Sequence, residues 1–234
     1  MSAAPVIELR GITKVFGRAA ATVHALKGVD LSIASGEFVS IMGPSGSGKS
    51  TLMNITGLLD QPTAGHYLFG GAEVGDLSRD ERALLRRHFL GFVFQGYNLL
   101  PRTSALENVE LPLIYQGRPA AERHEAAMAA LTRVGLAGRE SHRPSELSGG
   151  QQQRVAIARA IVARPDVLLA DEPTGNLDTA RSREIMDLLQ ELNETEGLTI
   201  VMVTHDPKMA ACSRRIVTVV DGLISDDATV GEAA

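Results

Sequence analysis

The chain has little cysteine, no long apolar run and no excess of basic charge, and each shortage removes a class of protein. A single cysteine, Cys212, excludes an intrachain disulfide framework and fits a reducing compartment. With no thiol-chemistry motif around it, Cys212 reads as a packing or surface residue. Apolar residues nowhere continue for the roughly 18 positions that a membrane-spanning helix needs, so a translocation path is not expected here and any membrane role is borrowed through a partner. The net charge of −5 argues against nucleic acid as a partner, which shows as a basic balance or stripe. Met1 to Glu8 has neither the basic nor the apolar segment of a secretory signal. Repeats and low-complexity tracts are missing too. The 234 residues, 44% hydrophobic and 22% charged, suit one domain with a substantial core.

What is present begins with short apolar runs: Phe38 to Met42, Phe92 to Phe94, Val167 to Ala170 and Thr199 to Val203. Their length and β-branched content predict buried strands of a parallel sheet. Helical patterns fall between them, at Lys49 to Leu59, Asp80 to Phe89, Ala121 to Val134 and Gly150 to Ala163. Alternating strands and helices predict an α/β core. Val6 to Leu9 and His24 to Ile33 alternate polar and apolar residues like a small antiparallel sheet, and the stretch from Gly96 to Ala163 is nearly all helical. Each buried run ends in polar residues: the glycine-rich loop after Met42, Gln95 after Phe94, Asp171 and Glu172 after Ala170, and His205 soon after Val203. Open parallel sheets bind ligands beyond the carboxyl ends of their strands, so four runs point at one candidate site.

Gly43-Pro44-Ser45-Gly46-Ser47-Gly48-Lys49-Ser50 matches the P-loop pattern and lies between a predicted strand and a predicted helix, as that motif requires. Glycines let backbone N–H groups turn inward around phosphate oxygens, and the following helix adds unpaired N–H groups and the positive end of its dipole. Lys49 supplies a full charge to the β- and γ-phosphates, and the Ser50 hydroxyl is a ligand for Mg²⁺. Asp171 would hold the metal, directly or through water, leaving Glu172 to polarise an attacking water. Pro173 also permits an ordinary acidic helix start there. Ser148 and Gln151 have the spacing of a capping box, with Gly149 and Gly150 opening backbone N–H groups to an anion. No lysine follows, so by itself this loop is a weak phosphate site and reads equally as a helix cap.

Together, these motifs resemble the ATP-binding cassette (ABC) family over nearly the whole chain. The resemblance implies a P-loop NTPase (RecA-like) α/β core with an N-terminal antiparallel β subdomain, at 1–95 and 164–234, and an inserted helical subdomain at 96–163. It makes Leu147-Ser148-Gly149-Gly150-Gln151 the signature, Gln95 the Q-loop residue that senses Mg²⁺, Asp171-Glu172 the Walker B aspartate and catalytic glutamate, Asn176-Leu177-Asp178 the D-loop and His205 the switch histidine. It implies ATP and Mg²⁺ as ligands. ATP would be held by Gly43 to Thr51, Gln95, Asp178 and His205, with catalysis resting on Lys49, Gln95, Glu172 and His205, and Mg²⁺ would sit on Ser50, Gln95 and Asp171. Two subunits would pair head-to-tail, Ser148 to Gln151 of one closing on the P-loop of the other. Whether Glu172 is a true general base or His205 orders the water is left open. One departure is visible: where the family usually places a tyrosine to stack on adenine, this chain has Phe16, which either stacks on the base or packs on the small sheet.

Ala170 to Asp178, Gly91 to Gln95, Asn98 to Pro101 and Leu106 to Val109 are similar to the macrolide-exporter and lipoprotein-release branch. That likeness implies an ATPase peripheral to the cytoplasmic face of the inner membrane. Its partners would be separate integral-membrane permease subunits and, in this branch, a periplasmic adaptor. The cell-division ATPase is a near relative. A chromosome-maintenance ATPase needs a long heptad insertion before its signature, which Thr51 to Glu146 lacks, and a translation factor of the family carries two cassettes.

Overall fold

The computed structural model describes residues 5–17 and 22–230; Met1 to Ala4, part of the N-terminal stretch considered above, lie outside them. The chain opens with β1 (Pro5–Phe16) and β2 (Val23–Ala34), then β3 (Phe38–Met42), α1 (Lys49–Thr56), β4 (Ala64–Phe69) and β5 (Ala72–Glu73). Next come α2 (Arg79–Phe89), β6 (Leu90–Phe94) and three successive helices, α3 (Ala105–Tyr115), α4 (Ala120–Arg133) and α5 (Gly149–Ile161). The chain returns to the sheet with β7 (Val167–Asp171), α6 (Thr179–Glu196), β8 (Thr199–Val203), α7 (Pro207–Ala210), β9 (Arg215–Val220) and β10 (Leu223–Thr229).

The strands form a four-stranded sheet in the order β2-β1-β4-β5 and a six-stranded sheet in the order β10-β9-β3-β8-β7-β6. In the larger sheet only β10 runs antiparallel to its neighbour. The four apolar runs are four of its five parallel strands, β9 being the fifth, and the reason they read as continuous hydrophobic segments is visible. Phe38, Leu168, Ala170, Ile200 and Met202 pack into the helical layer, while Val39, Ile41, Val167, Leu169, Val201 and Val203 face α1 and the small sheet. Successive residues point to opposite faces, and both faces are covered.

The expected helix boundaries shift by one to three residues. Helix α1 ends at Thr56 rather than Leu59, because Gly57 caps onto Met53 O and Leu58 takes a left-handed φ of 55°. Helices α2 and α4 each begin one residue earlier than expected. Helix α5 spans Gly149–Ile161, beginning one residue earlier and ending two earlier than expected, because Gly149 is already helical. Helices α3, α4 and α5 pack on one another, with Val109, Leu113, Leu131 and Val155 fully buried between them.

Candidate functional site

Strand register assembles the site. In the β7–β8 pair Asp171 lies opposite Val203, and in the β6–β7 pair Phe94 lies opposite Asp171. The residues that follow each strand therefore emerge along one edge. Glu172 N extends the ladder by donating to Val203 O at 2.9 Å, and Thr204 N does the same to Ile41 O at 3.2 Å. That places Glu172 next to the loop leading to His205, and Glu172 Oε1 meets His205 Nδ1 at 2.8 Å. The Glu172 carboxylate raises the His205 pKa, through the hydrogen bond first and its charge second. Glu172 holds a left-handed φ of 47°, a conformation costly for a residue with a Cβ and often concentrated at functional positions.

The cradle is built by α1 and the loop before it. Its glycines are required: at Gly43 (φ 147°) a Cβ would fall 2.0 Å from Val219 O, and at Gly48 (φ 107°) 2.6 Å from Ala25 O. Lys49 Nζ folds over the loop and donates to Gly43 O at 2.7 Å and Pro44 O at 2.8 Å. Ser47 is buried, and its Oγ has no hydrogen-bond partner among the described residues. A cavity of about 270 Å³ opens here, lined by Gly46 to Thr51 and also by Val23, Ala25, Lys27, Asp221 and Gly222. The last five carry no motif, which is why the sequence alone does not single them out.

Asp171 is partly buried, and its pKa is raised by that burial and then by the Glu172 charge; the Lys49 ammonium opposes both. The charges of Lys49 and Glu172 thus act on both Asp171 and His205. Gln95 stands beside them. A Cβ at Gly175 would fall 2.8 Å from Gln95 Nε2, and Asn176 Nδ2 donates to Gln95 O at 2.8 Å. Phe16 closes β1 opposite Val23, which lines the cradle cavity. Its ring is 43% exposed, so it is not a buried residue of the small sheet, and Lys14 Nζ rests 5.0 Å over its face.

The signature segment is elsewhere. Ser148 caps α5 with both bonds of a capping box: Gln151 N donates to Ser148 Oγ, and Ser148 N to Gln151 Oε1. Its glycines abut Tyr97 and Arg181, and a Cβ at Gly149 would fall 2.9 Å from Tyr97 Oη. Ser148 to Gln151 line neither the cradle cavity nor the neighbouring one of about 250 Å³ beside Glu172 and His205. Tyr97 and Asn98 take consecutive left-handed φ values of 60° and 50°, and Arg159 of α5 donates to both their carbonyls, at 2.8 and 2.6 Å. The turn after Gln95 is thereby fastened to the helix that carries the signature. Asp178 caps α6, accepting from Arg181 N at 2.9 Å.

Comparison with known proteins agrees with this arrangement. The ABC transporter family model matches residues 26–175. The chain is 56% identical over 227 residues to a macrolide export ATP-binding/permease protein of Marinobacter nauticus, covering 97% of this chain and 35% of that protein. It is 55% identical over 224 residues to a pyoverdine export ATP-binding/permease protein of Pseudomonas syringae pv. tomato, covering 95% and 34%. It therefore spans about a third of the length of these curated relatives. A solved dimeric, post-hydrolysis state of the ATP-binding cassette MJ0796 bound to ADP and phosphate superposes with a TM-score of 0.88 at 46% identity, covering 96% of this chain and 98% of that one. The solved structure of cbiO1 from Clostridium perfringens, part of the ABC transporter complex cbiONQ, also gives 0.88 at 31% identity, covering 98% and 90%. The expected P-loop NTPase fold is borne out, and the chain belongs to the ABC transporter family.

Proposed function

We propose that this chain is an ATPase whose hydrolytic site is completed by a second copy of itself, and that it drives a membrane-embedded permease. The observation that carries the reading is the separation of two incomplete half-sites. The cradle, with Lys49, Asp171, Glu172 and His205, lies at one place, and the anion-ready N-terminus of α5 lines neither cavity there. Head-to-tail pairing brings Ser148, Gly149 and Gly150 of each copy over the nucleotide of the other. The nucleotide then forms part of the interface, and losing its terminal phosphate releases contacts that span both subunits.

The chain's own groups support the chemistry. The N–H groups of the first turn of α1 and the Ser47 hydroxyl, which has no partner among the described residues, suit phosphate oxygens. Lys49 exchanges the Gly43 and Pro44 carbonyls for the β- and γ-phosphates. Glu172 orients and accepts a proton from the attacking water, and His205, paired to it at 2.8 Å, fixes its direction and stands ready to contact the γ-phosphate. Gln95, on the neighbouring strand end, bonds the same region. The residues fit Mg²⁺: Ser50 and Asp171 offer hard oxygen ligands, and Asp171 is partly buried beside the Glu172 charge. Among the described residues no set of three or more His, Cys, Asp or Glu could hold a metal, which suits a cation that keeps waters and leans on substrate phosphates. When bound, the ion neutralises charge on the β- and γ-phosphates. Phe16 supplies a face for the base.

Among the described residues no helix is long and apolar enough to cross a membrane, so the permease is the membrane element. A cavity of about 550 Å³ suits its docking, lined by Leu59, Phe92, Phe94, Leu111, Tyr115 and Arg159. Phe92 and Phe94 stack there at 5.9 Å. Arg159 ties this groove to Tyr97 and the turn after Gln95, a route from the permease to the nucleotide. We take 96–163 as the helical subdomain that moves along it, and place the protein on the cytoplasmic face of the inner membrane. A periplasmic adaptor completes the assembly, and the permease sets the exported or mobilised substrate. The test is Glu172→Gln, which blocks chemistry while leaving the binding contacts. On a sizing column it should run as a dimer with ATP and Mg²⁺ and as a monomer without; a monomer in both overturns the reading.

A further inference from the structure

The signature loop lacks a cation of its own: Leu147 to Gln153 contain neither lysine nor arginine. The first basic residue of α5, Arg154, is occupied, donating to Val134 O at 2.9 Å and to Glu184 Oε2 at 3.2 Å. A charge nevertheless reaches the loop from another element. Arg181, in the first turn of α6, lies along Gly150, with its Cβ, Cγ and Cδ 3.3–3.7 Å from where a Cβ on Gly150 would stand. The arginine stem thus packs directly on the Gly150 backbone. Its guanidinium is half-exposed and touches Asp178 Oδ2 through Nη1 at 3.1 Å. The guanidinium charge is also felt at the Tyr97 hydroxyl, which abuts Gly149. Arg181 and Tyr97 therefore flank the two signature glycines.

We propose that Arg181 binds the phosphates of the nucleotide carried by the second copy of the chain, supplying across the interface the charge that the signature loop does not have. This deepens the shared-site reading above and rests on it. An exposed ion pair such as Arg181–Asp178 holds weakly, so a polyphosphate competes for the guanidinium. Arginine also has five N–H donors, of which Asp178 engages only part. Asp178 then acts as a positioning residue, aiming Arg181 until the nucleotide arrives.

The test uses Arg181→Gln, which keeps a stem over Gly150, and Arg181→Lys, which keeps the charge, both in the Glu172→Gln background. Arg181→Gln is expected to leave ATP affinity of the monomer unchanged, measured with a fluorescent analogue, and to raise the ATP concentration needed for dimerisation about tenfold. Arg181→Lys is expected to recover part of that loss. Mixing Lys49→Ala with Arg181→Gln chains should give a mixed dimer holding one ATP, because one of its two composite sites keeps both cations. Equal dimerisation of Arg181→Gln and its parent overturns the proposal, as does weakened binding in the monomer, which would mean action within one chain, or failure of the mixed pair to form. If the Glu172→Gln parent itself stays monomeric, the shared-site reading falls first and takes this proposal with it.

Discussion

At the scale of single residues, the P-loop and Walker B groups were legible because each is a chemical type fixed by its task. Among the described residues Lys49 donates to the Gly43 and Pro44 carbonyls and to no side chain, so its charge is free to move to phosphate. Lys49→Ala should lower ATP affinity about a hundredfold without unfolding the chain, a loss of charge-assisted contacts read by isothermal titration. The His205–Glu172 pair gives a pH signature. Its histidine titrates above the ordinary 6.5 because the carboxylate favours the charged ring. The stabilisation it adds is thus complete below 6.5 and fades as pH rises through the raised value. In ¹H–¹⁵N spectra His205 should titrate above its ordinary value and return towards it in Glu172→Gln; an unchanged midpoint would deny the pair. Tyr97 and Arg181 were not legible, since nothing but the tertiary approach of the Gln95 turn and α6 to α5 sets them beside Gly149 and Gly150.

At the scale of elements, the parallel strands announced themselves because burial on both faces leaves no polar alternation. The small sheet was half visible. Strands β1 and β2 alternate, but β5 is two exposed residues, and β4 begins with three, so neither carries a hydrophobic signature. Helix α6 is missing from the expectations above, yet Ile185, Met186, Leu188, Leu189 and Leu192 recur at helical spacing and are buried. Helix α5 hides a different feature. Gln153 is fully buried in its middle, with both amide atoms lacking a partner among the described residues. An unpaired buried amide costs about 1–3 kcal/mol, so Gln153→Leu should raise stability to urea by about that amount with a nucleotide affinity unchanged. A destabilised variant would mean that the amide is satisfied, for example by an ordered water.

At the scale of the whole molecule, Ser148 to Gln151 line neither cavity beside the P-loop, and under the proposed function a second copy of the chain unites the two. The signature was recognisable as a string, but its geometry alone says helix cap; its meaning depends on a surface the chain does not provide to itself. The same holds for the groove at Leu59 and Tyr115. Tyr115, 68% exposed, lines that groove. Tyr115→Glu should leave ATP hydrolysis by the isolated cassette unchanged and reduce its co-purification with membranes severalfold. Retained membrane association would move the docking site elsewhere.

The order of strands has a consequence for synthesis. Strand β3, which ends in the cradle, pairs with β8 on one side and β9 on the other, and both come from the last stretch of the chain. Contacts between distant segments form only after the intervening loop is closed. A nascent polypeptide that has already emerged past Ser50 must therefore wait on the ribosome, unable to capture nucleotide, until β8 and β9 (Thr199–Val203 and Arg215–Val220) clear the exit tunnel and flank the waiting strand.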